Sequence, residues 1–267
     1  WGCALSLAAV LALAAALGGC SPREETGGSE AVTVEEVTIP SETFPPAETE
    51  TVEAPPETET EIEEREPGFE KRIILGSDIH YLSPDLTDYG EAFQYDVDHG
   101  DGRLVTYIDQ ITDAFLEEVV ENAPDVLILC GDLSTNGERK SHLEFAEKLR
   151  RVEAAGIPVV VIPGNHDINN HHACGYRGSE KYPVERTSPE DFREIYREFG
   201  YDEAVSEDET TLSYVYQLDS MTRLLMLDTC QYRQCYAQVG GAILTETYDW
   251  IEEQLEAAWE EGMNVIP

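Results

Sequence analysis

Three short polar clusters in the sequence carry side chains that can hold a metal ion. They lie at 78–80, 131–132 and 164–167, and each follows directly after a run of apolar residues. The clusters offer carboxylate, amide and imidazole groups and no thiolate, which favours Mg, Mn, Fe or Zn in a reactive site over a structural zinc. The candidate ligands and reactive groups are Asp78, His80, Asp132, Asn165 and His166.

Each cluster stands at the end of a predicted β-strand. The segments 71–80, 124–134 and 157–167 each contain a continuous apolar run, which predicts a strand covered on both faces. Between them, apolar residues recur every three or four positions at 104–119 and 143–152, which predicts two helices. Strands alternating with helices predict a parallel α/β sheet, so the three clusters should converge at its carboxyl edge, where such sheets bind ligands.

The rest of the chain continues the alternation of strands and helices. The pattern predicts a helix at 189–200 closed by Gly200, and a strand pair at 211–219 and 223–229 with Asp219 and Ser220 in the turn. A further helix is predicted at 245–262, with Thr245 as its N-cap and Gly262 as its stop, and a last strand begins near Val265.

The three clusters resemble, in order and spacing, the first three motifs of the calcineurin-like metallophosphoesterases. The resemblance covers about residues 71–267 and implies a layered αββα-type α/β sandwich, with the phosphoesterase domain at 70–267. In that family, two or three further histidines come from later motifs, after the strand that begins here at Val265. None is present, so we expect the domain to be incomplete at its C-terminus and this chain to bind metal weakly.

The resemblance also implies roles for the clustered residues. Asp78 and His80 would bind the first of two divalent metal ions, with Mn, Fe or Zn expected. Asp132 would bridge the two ions, and Asn165 would bind the second. His166 would be the catalytic general acid. The implied function is metal-dependent hydrolysis of a small phosphate monoester or diester, nucleotides included.

A second interpretation is a protein with the same fold and no catalytic activity: a phosphoesterase-like module that binds a ligand or partner at the cell surface.

Several other features of the sequence have more than one interpretation. The segment 81–102 is long enough for a lid or a substrate wall, and 96–102 is predicted to be an acidic surface loop. The residues with two open interpretations are Arg177 and Lys181 (phosphate contacts or ordinary surface charges), Asp228 (support for the site or a strand-end turn), and His171 and His172 (loop residues rather than ligands).

The N-terminal part predicts export. Residues 1–19 have the apolar core of a signal peptide, and Leu17 to Cys20 are similar to the lipobox of bacterial lipoproteins. The chain starts at Trp1 without a charged leader, so we expect this peptide to be truncated. We therefore expect an extracytoplasmic protein anchored to the bacterial membrane through a lipidated Cys20, with a disordered tether at 20–69 that is rich in Glu, Thr and Pro.

Charge and cysteine content limit the partners. The net charge is -38, of which residues 21–70 contribute 2 - 16 = -14, so the remainder carries -24. An acidic domain repels nucleic-acid phosphates, so we expect no nucleic-acid partner. Export permits disulfides, and Cys230 with Cys235 is the candidate pair, although the spacing does not require a bridge.

Overall fold

The computed structural model describes residues 71–100, 102–232 and 240–267. The predicted signal peptide at 1–19, the lipidated Cys20 and the tether to residue 69 lie outside the described residues, and so does Cys235 with its candidate disulfide. Within the described ranges, no helix is both long enough and apolar enough to span a membrane.

The first sheet contains three parallel strands, as the sequence predicts. They are β1 (Ile73–Gly76), β2 (Val126–Cys130) and β3 (Val159–Ile162), in the order β1-β2-β3. Every side chain of β3 is buried. The prediction of burial on both faces is wrong for β1, because it is an edge strand and Leu75 is 64% exposed.

Three helices lie between or beside these strands. They are α1 (Glu91–His99), α2 (Ile108–Asn122) and α3 (Arg139–Ala154). Helices α2 and α3 cross over from strand to strand and bury their apolar stripes, as predicted. Three details of the prediction are wrong. Leu104 precedes a short 3₁₀ turn and not the helix, and Ile111 of α2 is 42% exposed. Leu143 is exposed because it lies roughly 160° around α3 from the buried Phe145.

After β3 the chain forms a hairpin and a short helix. The hairpin strands are β4 (Cys174–Arg177) and β5 (Glu180–Pro183), and the helix is α4 (Pro189–Ile195), which begins with a capping box at Ser188. The helix predicted to 200 ends at Ile195. A π-helical turn, Arg197–Tyr201, follows, and within it Gly200 has a φ of +104°. A Cβ at Gly200 would lie 2.6 Å from the Tyr214 hydroxyl, so this turn packs against the second sheet.

The second sheet is mixed, with the order β6-β7-β8-β9. Its strands are β6 (Ala204–Glu207), β7 (Tyr214–Gln217), β8 (Thr222–Met226) and β9 (Asn264–Ile266). The antiparallel β7–β8 pair turns at Asp219 and Ser220, as predicted, and β9 runs parallel to β8 after helix α5 (Thr245–Glu260). Thr245 is the first helical residue and not the N-cap, because the extended residue before the helix is Leu244. Gly262, with a φ of +69°, follows the helix end as expected.

The two sheets share one core between two helical layers. Residues of β2 and β3 belong to the same buried cluster as Tyr214 and Leu224 of the second sheet and as Phe145 and Leu149 of α3. On the far side of the second sheet, α5 packs Ile251 against Val215 and Leu225. This arrangement of helices, sheet, sheet and helix confirms the predicted layered α/β class, whereas incompleteness at the C-terminus stays a prediction.

One buried hydrogen bond joins the sheets directly. The Tyr214 hydroxyl donates to the backbone carbonyl oxygen of Val161 in β3 at 2.7 Å, and the Tyr214 ring is fully buried. We expect Tyr214→Phe to lower the free energy of unfolding by about 1–2 kcal/mol, because the Val161 carbonyl loses a partner where water cannot replace it. Urea denaturation measures this. The control is Tyr107→Phe on an exposed tyrosine (60% exposed), which should change stability by less than about 0.5 kcal/mol.

Candidate metal centre

The structure brings three of the predicted ligands together at the carboxyl edge of the first sheet. Asp78 and His80 follow β1, and Asp132 follows β2. One potential ligand atom from each residue lies within 4.8 Å of the others. His80 Nε2 is 3.7 Å from Asp78 Oδ1 and 3.8 Å from Asp132 Oδ2. These separations leave room for a cation at the usual distance of about 2.0–2.2 Å from each atom.

All three clustered residues have a left-handed backbone conformation. The φ angles of Asp78, His80 and Asp132 are +56°, +50° and +49°. Such angles cost of order 1 kcal/mol each in residues other than glycine. Backbone hydrogen bonds hold them, since the Asp78 amide donates to Gly131 O at 3.1 Å and the His80 amide donates to Asp132 O at 2.8 Å. The loops after β1 and β2 are therefore tied together, and their strained conformation presents the three side chains to one point.

Two glycines let the loops after β2 and β3 approach closely. A Cβ at Gly164 would lie 2.1 Å from the Asp132 amide nitrogen, and a Cβ at Gly131 would lie 2.8 Å from Gly164 Cα. This approach allows the His166 amide to donate to Asp132 Oδ1 at 2.9 Å. One carboxylate oxygen of Asp132 is thus fixed by the third cluster, while the other faces His80.

Asp167, to which the sequence pattern assigned no role, fastens these two loops together. Its fully buried carboxylate accepts hydrogen bonds from the backbone amides of Leu133, Ser134 and Gly164 and from the Ser134 hydroxyl, at 2.8–3.1 Å. Burial raises the pKa of Asp167, and the donated hydrogen bonds oppose that shift. The signal in the sequence was an acidic residue directly after His166, in a cluster whose residues were interpreted only as metal ligands or reactive groups.

A buried histidine supports Asp167 from helix α3. Burial lowers the pKa of His142 to about 3, so its imidazole stays neutral. A neutral imidazole has one donor and one acceptor nitrogen. His142 Nε2 therefore donates to the backbone oxygen of Asp167 at 3.1 Å, and Nδ1 accepts from the Tyr196 hydroxyl at 2.9 Å. The third cluster is in this way anchored to the core.

The two remaining predicted residues lie beside the cluster. Asn165 lines an open cavity of about 420 Å³ that Asp78 and Asp132 also line. The rings of His166 and His80 are 4.9 Å apart and nearly perpendicular, and His166 Nδ1 donates to the Thr135 carbonyl oxygen at 2.7 Å. Burial lowers the pKa of His80 and raises that of Asp132. A bound cation disfavours the protonated form of both groups, so it would lower the pKa of His80 further and would reverse the rise at Asp132.

A family model for calcineurin-like phosphoesterases matches residues 71–258. The chain belongs to the calcineurin-like phosphoesterase family. Membership implies hydrolysis of phosphate esters with divalent metal ions, and the oxygen and imidazole groups of Asp78, His80 and Asp132 suit such ions. A search of the curated proteins found no match to this chain.

The other polar candidates of this phosphoesterase lie outside the three-residue cluster. Lys181 pairs with Asp96 at 2.6 Å, and Arg177 lies over the Tyr182 ring, so both serve the hairpin and α1. Asp228 accepts from the Leu212 and Cys230 amides and from the Tyr232 hydroxyl, which supports the interpretation as a strand-end turn.

Two loop predictions from the sequence have different outcomes. The rings of His171 and His172 lie 4.1 Å apart, tilted by 37°, on an exposed loop, as expected of loop residues. The acidic loop predicted at 96–102 is wrong for 96–99, which form the end of α1. That helix packs in a small core of its own with Leu82, Leu86 and Tyr176.

We expect Asp167→Asn to destabilise the fold by about 2–4 kcal/mol. Both carboxylate oxygens accept two hydrogen bonds, so an amide NH₂ would face donors in a buried space. Urea denaturation measures the loss, with Asp249→Asn on the exposed face of α5 as the matched control. Equal stability of the two variants would contradict this role.

A second expectation concerns Glu138, which is buried at the start of α3. The Asn136 amide donates to its carboxylate at 3.0 Å, yet burial raises the pKa of Glu138 to about 7. Between pH 4.5 and about 7 the folded state keeps a proton that the unfolded state releases, so stability from this group is lost as the pH rises.

The test compares wild type with Glu138→Gln, which stays neutral and keeps an acceptor. We expect wild type to lose up to about 3 kcal/mol relative to this variant between about pH 4.5 and 8. Urea denaturation across that range gives the difference. Glu253→Gln, an exposed change in α5, should show no such trend.

Proposed function

We propose that this protein hydrolyses small phosphate esters, monoesters or diesters, with two divalent metal ions, and that it does so outside the cytoplasm on a lipid anchor. The observation that carries the proposal is the convergence of Asp78, His80 and Asp132 beside His166 at the edge of the first sheet, in a chain that belongs to this family. Mn, Fe and Zn are the proposed metals because the ligands are oxygen atoms and imidazole nitrogens.

Asp132 has the central role in the proposed site. Its two oxygens face different neighbours, since Oδ1 is held by the His166 amide and Oδ2 lies 3.8 Å from His80 Nε2. A carboxylate presented in this way suits a bridge between an ion held with Asp78 and His80 and a second ion held with Asn165. The ions, when bound, supply an activated water and positive charge for the phosphoryl oxygens.

His166 is the proposed general acid. The hydrogen bond from Nδ1 to the Thr135 carbonyl oxygen fixes the ring and its tautomer, which leaves Nε2 for proton transfer. Proton donation from Nε2 to the departing ester oxygen avoids the release of an alkoxide. His142 and Asp167 hold the backbone that carries His166, and they take no part in the proton transfer.

The proposed location rests on the sequence of residues 5–20, where an apolar run ends at a lipobox-like Cys20. The acidic tether that follows would keep the domain away from an anionic membrane surface. The proposed partner is a small phosphorylated substrate, with the membrane reached through Cys20 and no nucleic acid bound.

We expect Asp132→Asn to abolish hydrolysis of p-nitrophenyl phosphate and bis(p-nitrophenyl) phosphate with added Mn²⁺. Mn²⁺ affinity, measured by electron paramagnetic resonance, should fall by more than about 100-fold, since even residues that only orient ligands contribute about 10- to 100-fold. The matched control is again Asp249→Asn, which should keep both properties.

The outcomes separate the two functional interpretations. Hydrolysis that survives in Asp132→Asn would refute the proposed site. Mn²⁺ binding without hydrolysis of either ester in wild type would instead support the surface binding module.

A further inference from the structure

A second, smaller cleft adjoins the candidate metal centre. It has a volume of about 330 Å³ and lies between α1 and the loop after β2. We call it the ring cleft; its defining residues are Phe93, Tyr95, His99, Arg103, Asn136 and Tyr176. The volume is at the lower end of the range for small-molecule sites and suits a group the size of a nucleoside.

One residue forms a shared wall between the ring cleft and the metal centre. Thr135 lines the cleft, its carbonyl oxygen accepts from His166 Nδ1, and its hydroxyl donates to the His80 carbonyl oxygen at 2.8 Å. A group in the cleft would therefore lie next to the residue proposed to protonate the departing oxygen. That position fits the alcohol part of an ester.

Flat rings dominate the ring cleft. Tyr95 and His99 stack with centroids 4.1 Å apart at 19°, and Phe93 meets Tyr176 edge to face at 5.3 Å. Tyr95 is 61% exposed, although it lies on a helix that has a small core of its own. Exposed rings beside a reactive site provide faces on which another ring can stack.

A cation stands at the junction of the two sites. Arg103 lines the ring cleft, and its guanidinium donates to His80 Nδ1 at 2.9 Å. A neutral imidazole that offers Nε2 to a cation carries its proton on Nδ1, which then cannot accept from Arg103. Metal binding and this contact therefore exclude each other, so the guanidinium would leave His80 Nδ1 but stay at the junction of the ring cleft and the metal centre, where the phosphate of a bound ester would lie.

We propose that the ring cleft binds the alcohol part of the substrate, that this alcohol carries a flat ring stacked on Tyr95, and that Arg103 contacts the phosphate. The inference rests on the proposed phosphoesterase function and adds the class of substrate. Asn136, which lines the same cleft, is the polar residue that would orient the ring. Asp96 is already engaged by the Tyr176 hydroxyl and Lys181, which limits its repulsion of an anion.

The test uses two ligands that differ only in the ring: phenylphosphonate and methylphosphonate, neither of which is hydrolysed. Calorimetric titration in Mn²⁺ should show that wild type binds phenylphosphonate at least about tenfold more tightly. Tyr95→Ala should reduce that preference about fivefold to tenfold, because the stacking face is lost. Tyr107→Ala, an exposed tyrosine that does not line the cleft, should leave the preference unchanged.

Arg103→Ala should have a different signature. We expect both phosphonates to bind about tenfold more weakly, with the preference for the ring unchanged and the affinity for Mn²⁺ not reduced, because the variant removes a contact that competes with metal binding. Arg177→Ala, which removes a cation from the nearby hairpin, is the matched control and should leave both affinities unchanged. A loss of Mn²⁺ affinity in Arg103→Ala, with phosphonate binding intact, would overturn the phosphate contact.

The KM values of AMP and ribose 5-phosphate distinguish a nucleobase from another flat ring, because their departing alcohols are chemically similar. If KM for ribose 5-phosphate divided by KM for AMP exceeds the ratio of the methylphosphonate and phenylphosphonate dissociation constants, the ring is assigned as a nucleobase. If the KM ratio is near one, the ring is assigned as a smaller aryl group. If wild type hydrolyses esters but binds the two phosphonates equally, the proposed role of the ring cleft is refuted and the proposed phosphoesterase function stands. A ring preference lost in Tyr95→Ala, without any hydrolysis, would support the cleft while the proposed function fails.

Discussion

Four hydrogen bonds to the buried carboxylate of Asp167 hold together the two loops on which the candidate metal centre depends. They reach amides on both loops, at Leu133, Ser134 and Gly164, so neither loop can shift alone. The contact is close because Gly131 and Gly164 have no side chains to separate the backbones. The position of Asp132 relative to His166 is thus fixed by a residue that is not itself one of the clustered ligands.

That rigidity explains how the chain maintains three left-handed residues at one point. Asp78, His80 and Asp132 each have a positive φ, and a looser surrounding structure would let them relax. The backbone bonds from the first loop to the second offset the strain within the fold. The clustered carboxylates also repel one another, and a bound cation would relieve that repulsion. Because the fold already holds the carboxylates in position, little of the cation's binding free energy would be spent on arranging them. Stability and metal affinity therefore depend on the same few loop contacts.

Much of this fold could be predicted from local pattern, and the errors have physical causes. The parallel order of β1, β2 and β3 followed from continuous apolar runs separated by helices. Boundaries failed where tertiary packing overrides local preference. At Gly200, a left-handed turn against Tyr214 replaces the last helical residues, and at β1 the edge position leaves Leu75 uncovered. Neither effect can be read from the residues next to the position concerned.

The candidate site likewise contains residues that the sequence pattern predicts and residues that only the folded structure reveals. Asp78, His80 and Asp132 could be predicted because strand ends bring them together and because their residue types favour metals. Arg103 and the ring cleft could not, since α1, the loop that follows it and the loop after β2 meet only in the folded chain. The net charge of the domain explains why local positive charge matters at this site. A domain with a net charge of -24 must attract an anionic ester through local positive charge, and bound metal together with Arg103 would concentrate that charge at one edge of the sheet.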